Sequence, residues 1–578
     1  MYGYTPPIDD YRFLLREVLG FDAAVGELGM EIDAELAATV LEEAGKLCAE
    51  RLHPINREGD EHGSRLVDGA VRTPPGFADA YREFVSAGWA SLSGDPLYGG
   101  QGLPFLLQLW LDEMVSAANL SFGLFPGLTR GASEAIAAHA SDALKATYLP
   151  RLVSGEWTGA MALTESSAGT DLALLKTKAE PKGDDSYAVT GQKIFISSGD
   201  HDFGGNIVHL VLARLADAPA GVKGISLFLV PKYLPDADGG FTVRNDMSVG
   251  ALEKKMGIHA QPTCVMNYDG AIGWLVGEPH RGLAAMFTMM NAERLMVGIQ
   301  GLGVAGAAYQ QAASYAKERL QGRSADGSAN HVAIVEHADV RRMLLNIRAF
   351  VEGARALGGW VALQLDRAHH HADPGERAKA DALVALLTPV VKAAFTDFGF
   401  ESAVQAQQVF GGHGYIREWG MEQYVRDARI AQIYEGTNGV QAMDLVGRKL
   451  SVAGGTVVQG FFDLIAADLA RAGGSAVAVR TDEALVRLRE ATVALQGVDL
   501  DTAGAVATDY LRLFALVAMG WMWARMAAAA ARNNTAFNST KLAIADFYAK
   551  RLLPQTAGLV EGILANDRSF ARLSAEAF

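Results

Sequence analysis

The chain changes its hydrophobic period at about residue 158 and changes back at about residue 280, and this constrains the fold more than any other feature. Inside that window, Tyr187-Ala188-Val189-Thr190, Ile207-Val208-His209-Leu210-Val211-Leu212, Ile225-Ser226-Leu227-Phe228-Leu229-Val230 and Phe241-Thr242-Val243 are short β-branched and aromatic runs. Gly, Pro and Asp separate them, as expected of strands. Before the window the spacing is helical, as in Glu35-Leu36-Ala37-Ala38-Thr39-Val40-Leu41-Glu42-Glu43-Ala44. After it, long alanine- and leucine-rich helices return. The pattern predicts a mainly α chain with an inserted β-domain.

Four regions follow. Residues 1–157 form an N-terminal helical domain broken by loops such as Tyr98-Gly99-Gly100-Gln101-Gly102-Leu103-Pro104, and residues 158–280 form the β-domain. Residues 281–450 form a second helical domain. Residues 451–578 open on Val452-Ala453-Gly454-Gly455-Thr456 and then read as helical throughout. A chain of 578 residues is too long for one core, so several domains are expected.

The formal net charge of −15 argues against nucleic acid and against an anionic membrane surface as partners. Only Cys48 and Cys264 are present, which fits a reducing cytoplasm and gives no disulfide framework. The opening Met1-Tyr2-Gly3-Tyr4-Thr5-Pro6-Pro7 followed by Asp9-Asp10-Tyr11-Arg12 has neither signal- nor transit-peptide character. Leu513 to Ala524, the most hydrophobic stretch, is bounded by Arg512 and Arg525. A span needs about 20 apolar residues, so a buried helix is expected rather than stable membrane insertion.

Ile433-Tyr434-Glu435-Gly436-Thr437-Asn438-Gly439-Val440 places one carboxylate where a mostly apolar helical stretch breaks at glycine and another helix starts. A glutamate desolvated on one side and facing a ligand on the other is suited to proton abstraction; the alternative from the octet alone is a surface glutamate at a helix end. Thr164-Glu165-Ser166-Ser167-Ala168-Gly169-Thr170-Asp171 is a hydroxyl-rich turn able to hold a polar heterocycle or a pyrophosphate. Ile194-Phe195-Ile196-Ser197-Ser198-Gly199 puts an aromatic and two hydroxyls at the end of an expected strand; these two segments could supply the apolar wall and ring-edge hydrogen bonds of a flavin, or be simple turns. Phe410-Gly411-Gly412-His413-Gly414-Tyr415 follows a helix carrying Gln405, Gln407 and Gln408, and reads equally as a helix–helix turn or as backbone open to a flat or phosphorylated group. The arginines Arg294, Arg319, Arg323 and Arg426 flank these loops on expected helices.

Two apparent motifs are set aside. Gly301-Leu302-Gly303-Val304-Ala305-Gly306 fits GxGxxG, but it lies within one continuous helix instead of between a strand and a helix, so close helix packing is expected. His369-His370-His371 with Asp373 reads as a solvated helix end, and no metal is assigned.

In this order the segments closely resemble the acyl-CoA dehydrogenase family. The resemblance runs from about residue 80 to 450 through Met161-Ala162-Leu163-Thr164-Glu165, Gly191-Gln192-Lys193-Ile194-Phe195-Ile196-Ser197, Glu253-Lys254-Lys255-Met256-Gly257-Ile258, the Phe410–Tyr415 cluster and Gln432-Ile433-Tyr434-Glu435-Gly436-Thr437. The opening Asp10 to Leu19 and the appendix over residues 451–578 are similar to a larger-subunit branch. That branch includes the 3-methylmercaptopropionyl-CoA dehydrogenases and broad-range bacterial fatty acyl-CoA dehydrogenases.

The resemblance implies an N-terminal helical domain, a middle β-barrel and a C-terminal four-helix bundle with FAD in the cleft between them. It implies that Glu435 removes the α-proton of an acyl-CoA thioester while the β-hydrogen leaves as hydride to the flavin. The base's own backbone N–H and a ribityl hydroxyl would stabilise the enolate oxygen. The product is a trans-2-enoyl-CoA, and an electron-transferring flavoprotein takes the electrons. By the same resemblance Met161, Leu163, Thr164, Gly169 and Thr170 line the flavin and its pyrophosphate, and Phe195 and Ser197 cover the ring. Arg319, Gln408, Gly411 and Gly412 hold the adenine half from a neighbouring subunit of a homodimer, with Thr437 nearby. Asn291, Arg294, Tyr434 and Gly436 serve the substrate.

This chain departs from the family's pattern in places. Phe195 replaces a frequent tryptophan, Ser166 a proline, and Gly439 a glutamine; Arg319-Leu320-Gln321-Gly322 lacks the usual phenylalanine. Glu293 stands where a minority of the family carries its base, so it is the alternative or auxiliary base to Glu435. An acyl-CoA oxidase or a flavin monooxygenase on the same fold is the competing activity, and a non-catalytic scaffold the third reading. The monooxygenases typically lack the glutamate.

Overall fold

The computed structural model describes residues 2–565, 567 and 569–578. They divide into two compact units: residues 1–45, 104–117 and 297–578 in one, and residues 46–103 and 118–296 in the other. Two long helices run from one unit into the other, Phe105–His139 and Gly282–Glu318. The first is interrupted at Asn119 (φ −161°, ψ 92°), whose side-chain oxygen accepts from the Phe122 N–H and caps the helix that restarts there.

In the second unit a closed barrel forms from five strands. Thr263–Val276 pairs with Ser186–Ser197, which pairs with Lys178–Pro181; that strand touches Ile207–Arg214 at one residue pair, Ile207–Arg214 pairs with Ile225–Pro231, and the last returns to Thr263–Val276. Thr158–Ala162 and Met247–Leu252 extend the sheet at either end of that ring. Ile207–Arg214 is apolar on both sides for a reason: Val208, Leu210 and Leu212 face helical residues such as Leu128 and Ile136, while Ile207, Val211 and Ala213 fill the barrel. The four runs read as strands in the sequence all lie in strands. Thr263–Val276, the longest strand, was not among them.

Residues 1–157 are not wholly helical. Arg65–Val67 and Ala70–Arg72 form an antiparallel hairpin turned by Asp68 (φ +50°) and Gly69 (φ +76°). The sequence carried its signal, since Asp-Gly is a favoured two-residue hairpin turn.

In the first unit, Ala338–His370, Pro374–Val409 and Leu500–Ala530 pack together with Trp521 and Trp523 fully buried. The GxGxxG run lies within the Gly282–Glu318 helix, as expected. A Cβ on Gly301 would come within 2.4 Å of the Phe395 carbonyl oxygen, and one on Gly303 within 2.6 Å of that of Glu113. These glycines allow backbones to meet. The last region is helical over Thr456–Arg471, Ala476–Leu495, Leu500–Ala530, Ala536–Phe547 and Gln555–Leu564.

Among the described residues, three helical stretches are long and apolar enough to cross a membrane: Pro374–Val409, Asn438–Arg471 and Leu500–Ala530. The apolar windows of the first and third are 78% and 89% buried, which makes them core helices. The second is interrupted by non-helical backbone at Val452, Ala453 and Gly454. Leu513–Ala524 lies inside the third.

Candidate active site

The expected site residues fall in both units. In the barrel unit, Met161 lies on the strand Thr158–Ala162, and Leu163 to Thr170 form the loop beyond it. Glu165 ties that loop down. Its carboxylate accepts from the Lys176 N–H (2.7 Å), the Thr177 N–H (3.0 Å), the Thr177 hydroxyl (2.6 Å) and Lys193 Nζ (2.8 Å). Lys193 Nζ also donates to the Leu163 carbonyl (3.0 Å), and the Thr164 carbonyl accepts from the Ile194 N–H. Burial alone would raise the Glu165 carboxyl, but the Lys193 charge and these donors hold it low. Burial lowers Lys193 to about 8 against the opposing pull of Glu165. Neither residue was singled out in the sequence.

The knot has a measurable consequence. The Lys193 charge is present below about pH 8 and lost above it; because that value lies below the usual lysine range, losing the charge does not destabilise the fold, and the neutral Nζ can still donate. Lys193→Met is expected to lose FAD during gel filtration at pH 7, while the native protein keeps it at both pH 7 and pH 9. Equal flavin retention by the variant and the native protein at pH 7 would refute the role.

Phe195, two residues before the end of its strand, is 59% exposed and at φ +61°. A large aromatic held both exposed and left-handed is costly on both counts, as is common where a side chain serves a ligand. On the Gly282–Glu318 helix, Arg294 Nη1 donates to Asn291 Oδ1 (3.3 Å), so these two expected substrate residues are joined. Glu293 is 2% exposed, and a Cβ added at Gly131 would lie 2.6 Å from its carboxylate.

In the other unit, Glu435 lies in the loop between Met421–Ala431 and Asn438–Gly447. The preceding helix, MEQYVRDARIA, is more polar than the octet suggests and stops at Ala431. Glu435 has φ +57° and Gly436 φ +78°. A left-handed conformation costs a residue with a Cβ about 1–2 kcal/mol. Tyr434 donates its hydroxyl hydrogen to Gln300, and the Thr437 hydroxyl oxygen caps the next helix by accepting from the Val440 N–H.

Arg319, Gln408, Gly411 and Gly412 are all exposed. Arg319 and Arg323 lie just past the end of the Gly282–Glu318 helix and not on it, whereas Arg426 is helical and pairs with Glu422. The glycine loop is anchored by Tyr315, which stacks on Phe410 (4.1 Å between centroids) and shares a hydrogen bond with His413. His369 and His370 form an exposed helix end, and no cluster able to hold a metal occurs among the described residues.

The residues fit FAD. A Cβ on Gly169, Gly411 or Gly412 would meet no heavy atom within 4 Å, so packing within the chain does not demand glycine there. Open backbone of this kind at Gly169 and Gly412 suits close approach of a pyrophosphate, whereas the Gly411 N–H donates to the Gln408 carbonyl (2.9 Å).

The acyl-CoA dehydrogenase family models match in sequence: the N-terminal domain over residues 34–156, the middle domain over 160–271 and the C-terminal domain over 280–450. An "acetyl-CoA dehydrogenase C-terminal like" model matches residues 461–574. A 3-methylmercaptopropionyl-CoA dehydrogenase of Ruegeria pomeroyi is 43% identical over 95% of this chain and 96% of that protein. The chain belongs to the acyl-CoA dehydrogenase family. The broad-specificity linear acyl-CoA dehydrogenase FadE5 of Mycobacterium tuberculosis is 32% identical over the whole of both chains. An acyl-CoA dehydrogenase from Bacillus anthracis, solved with FAD, shares the fold at 20% identity with a TM-score of 0.75, covering 97% of this chain and 92% of that one. This acyl-CoA dehydrogenase is an FAD-dependent oxidoreductase that dehydrogenates an acyl-CoA thioester.

Proposed function

We propose that the enzyme removes the α- and β-hydrogens of a short acyl-CoA, with 3-methylmercaptopropionyl-CoA as its substrate and Glu435 as the base. The 43% identical relative of that name, matched over nearly the full length of both chains, supports the substrate. The observation that carries the base is the left-handed backbone at Glu435, a costly conformation for a residue with a Cβ.

FAD, when bound, supplies the two-electron acceptor for the β-hydrogen. The chain's own residues do the rest. The Glu435 carboxylate takes the α-proton, and its backbone N–H donates to the thioester oxygen as negative charge develops there. Asn291 and Arg294, already hydrogen-bonded to each other, bind the CoA portion, with Tyr434 and Gly436 lining the acyl side. Met161, Leu163, Thr164, Gly169, Thr170, Phe195 and Ser197 form the barrel's contribution to the flavin site.

A homodimer is proposed in which Arg319, Gln408, Gly411 and Gly412 serve the partner's FAD. In support, they are exposed together with Leu320, Tyr415, Ile416 and Trp419, large apolar side chains that a lone chain leaves in water. An electron-transferring flavoprotein is the proposed acceptor. A reducing cytoplasm is the proposed setting, consistent with the two cysteines being buried free thiols and with burial raising Cys264 to about 12.

Anaerobic titration of the flavoprotein with a panel of acyl-CoAs tests this reading. 3-Methylmercaptopropionyl-CoA and butyryl-CoA are expected to bleach the flavin rapidly and palmitoyl-CoA slowly. Fastest bleaching by palmitoyl-CoA would overturn the short-chain assignment.

A further inference from the structure

The base loop is held from behind by two fully buried side chains that the chemistry above does not use. Lys392 and Gln441 are both 0% exposed. Lys392 lies on the Pro374–Val409 helix, within the apolar run Pro389-Val390-Val391-Lys392-Ala393-Ala394. Its ammonium donates to the Gly436 carbonyl (2.8 Å) and to Asn438 Oδ1 (2.9 Å). The Asn438 amide in turn donates to Asp397 Oδ1 (2.7 Å), Thr396 Oγ1 (2.9 Å) and the Ala393 carbonyl (3.2 Å). Gln432, on the other side of the loop, donates to the same Asp397 oxygen (2.7 Å), and its carbonyl accepts from the Asn438 N–H. Gln441 Nε2 donates to the Glu435 carbonyl (3.2 Å).

Thus the carbonyls of both left-handed residues, Glu435 and Gly436, end on dedicated buried donors. Neither donor is cheap to bury. An ammonium loses hydration in a helix interior. Gln441 Oε1 is buried and has no hydrogen-bond partner among the described residues, so leucine in its place would relieve an unsatisfied acceptor. Groups kept against such costs are explained by what they hold. We propose that Lys392 and Gln441 are positioning residues for the base, fixing the left-handed Glu435–Gly436 turn and so aiming the Glu435 carboxylate at the α-carbon. The proposal rests on Glu435 being the base.

The test compares Glu435→Gln, Lys392→Met and Gln441→Leu as holoenzymes. FAD content, thermal midpoint, acyl-CoA binding and the single-turnover rate of flavin reduction are measured for each. Gln441→Leu is expected to keep its FAD, its thermal midpoint and its acyl-CoA affinity while flavin reduction slows about 10- to 100-fold, the scale of an ångström-level misplacement of a reacting group. Lys392→Met is expected to slow it at least as much, with a lower thermal midpoint. If Gln441→Leu reduces flavin at the native rate while Glu435→Gln does not, the positioning role falls and the base assignment stands. If Glu435→Gln itself reduces flavin normally, the base assignment falls and the positioning role with it. Should Lys392→Met fail to fold, Gln441→Leu alone decides.

Discussion

Glu435→Gln is expected to bind FAD and acyl-CoA normally yet to reduce its flavin about 10²- to 10⁴-fold more slowly, the usual contribution of a general base. The substitution is nearly isosteric. It leaves the backbone N–H in place, so any oxyanion stabilisation survives and the loss reports proton abstraction alone. The loop should hold its shape, because its anchors grip the carbonyls of Glu435 and Gly436 and not the carboxylate. Glu293→Gln provides the contrast. Glu293 is a buried carboxylate, packed where a Cβ at Gly131 would touch it, and as an auxiliary group it is expected to alter the rate less than about tenfold. A normal rate for Glu435→Gln alongside a dead Glu293→Gln would exchange the two assignments. Either outcome is read in one anaerobic stopped-flow series with the proposed short acyl-CoA.

The ease with which parts of this fold were read from sequence follows from how each residue meets its surroundings. Helices such as Ala34–Leu47 carry a continuous apolar face, and Ile207–Arg214 and Ile225–Pro231 are buried on both sides, so their patterns survive in the sequence. Thr263–Val276 hides itself. It has register shifts at Cys264/Met266 and Asp269/Ala271, Gly270 at φ +86°, and Asn267 and Asp269 inside the strand, so no period of two is left. At the site, short motifs mark the loops but not what holds them. Glu435 has no intrinsic preference for left-handed backbone, and the donors that meet the carbonyls of that turn, Lys392 and Gln441, come from helices before and after it. Lys193 and Glu165 lay inside quoted motifs, yet only the barrel shows them meeting. A lone lysine in an apolar helical run, as at Lys392, is a sequence signal that could have pointed to such a support.

A buried charge cluster in the helical unit gives the second large effect. Arg355, 4% exposed, donates to Glu113 Oε1 through Nε (2.9 Å) and Nη2 (2.6 Å) and to Asp10 Oδ2 through Nη1 (2.7 Å). Lys541, 1% exposed, binds Asp10 and Glu352 at 2.6 Å each, and Arg348 binds Glu352. Three cations therefore balance three carboxylates drawn from the N-terminal segment, two core helices and the C-terminal appendix. Burial alone would raise Asp10, but Lys541 and Arg355 hold it below its usual value, whereas burial outweighs Arg355 at Glu113 and raises it. Arg355→Met is expected to destabilise this unit by about 3–5 kcal/mol, because it leaves buried carboxylates uncompensated. The sign with pH follows from Glu113. With its folded pKa raised further by loss of the cation, the folded state binds protons that the unfolded state has released, so stability falls as pH rises. Urea unfolding followed by tryptophan fluorescence should show a larger deficit at pH 8 than at pH 5. Combining Arg355→Met with Glu113→Leu should recover much of it, since an apolar pair avoids the burial cost altogether. A native midpoint for Arg355→Met at pH 8 would show that the cluster contributes nothing. Lys541 carries the corollary. An enzyme truncated before Thr456 would leave Asp10 and Glu352 without that ammonium, so the appendix is part of the core's charge balance, and its removal is expected to unfold the helical unit and not merely to shorten it.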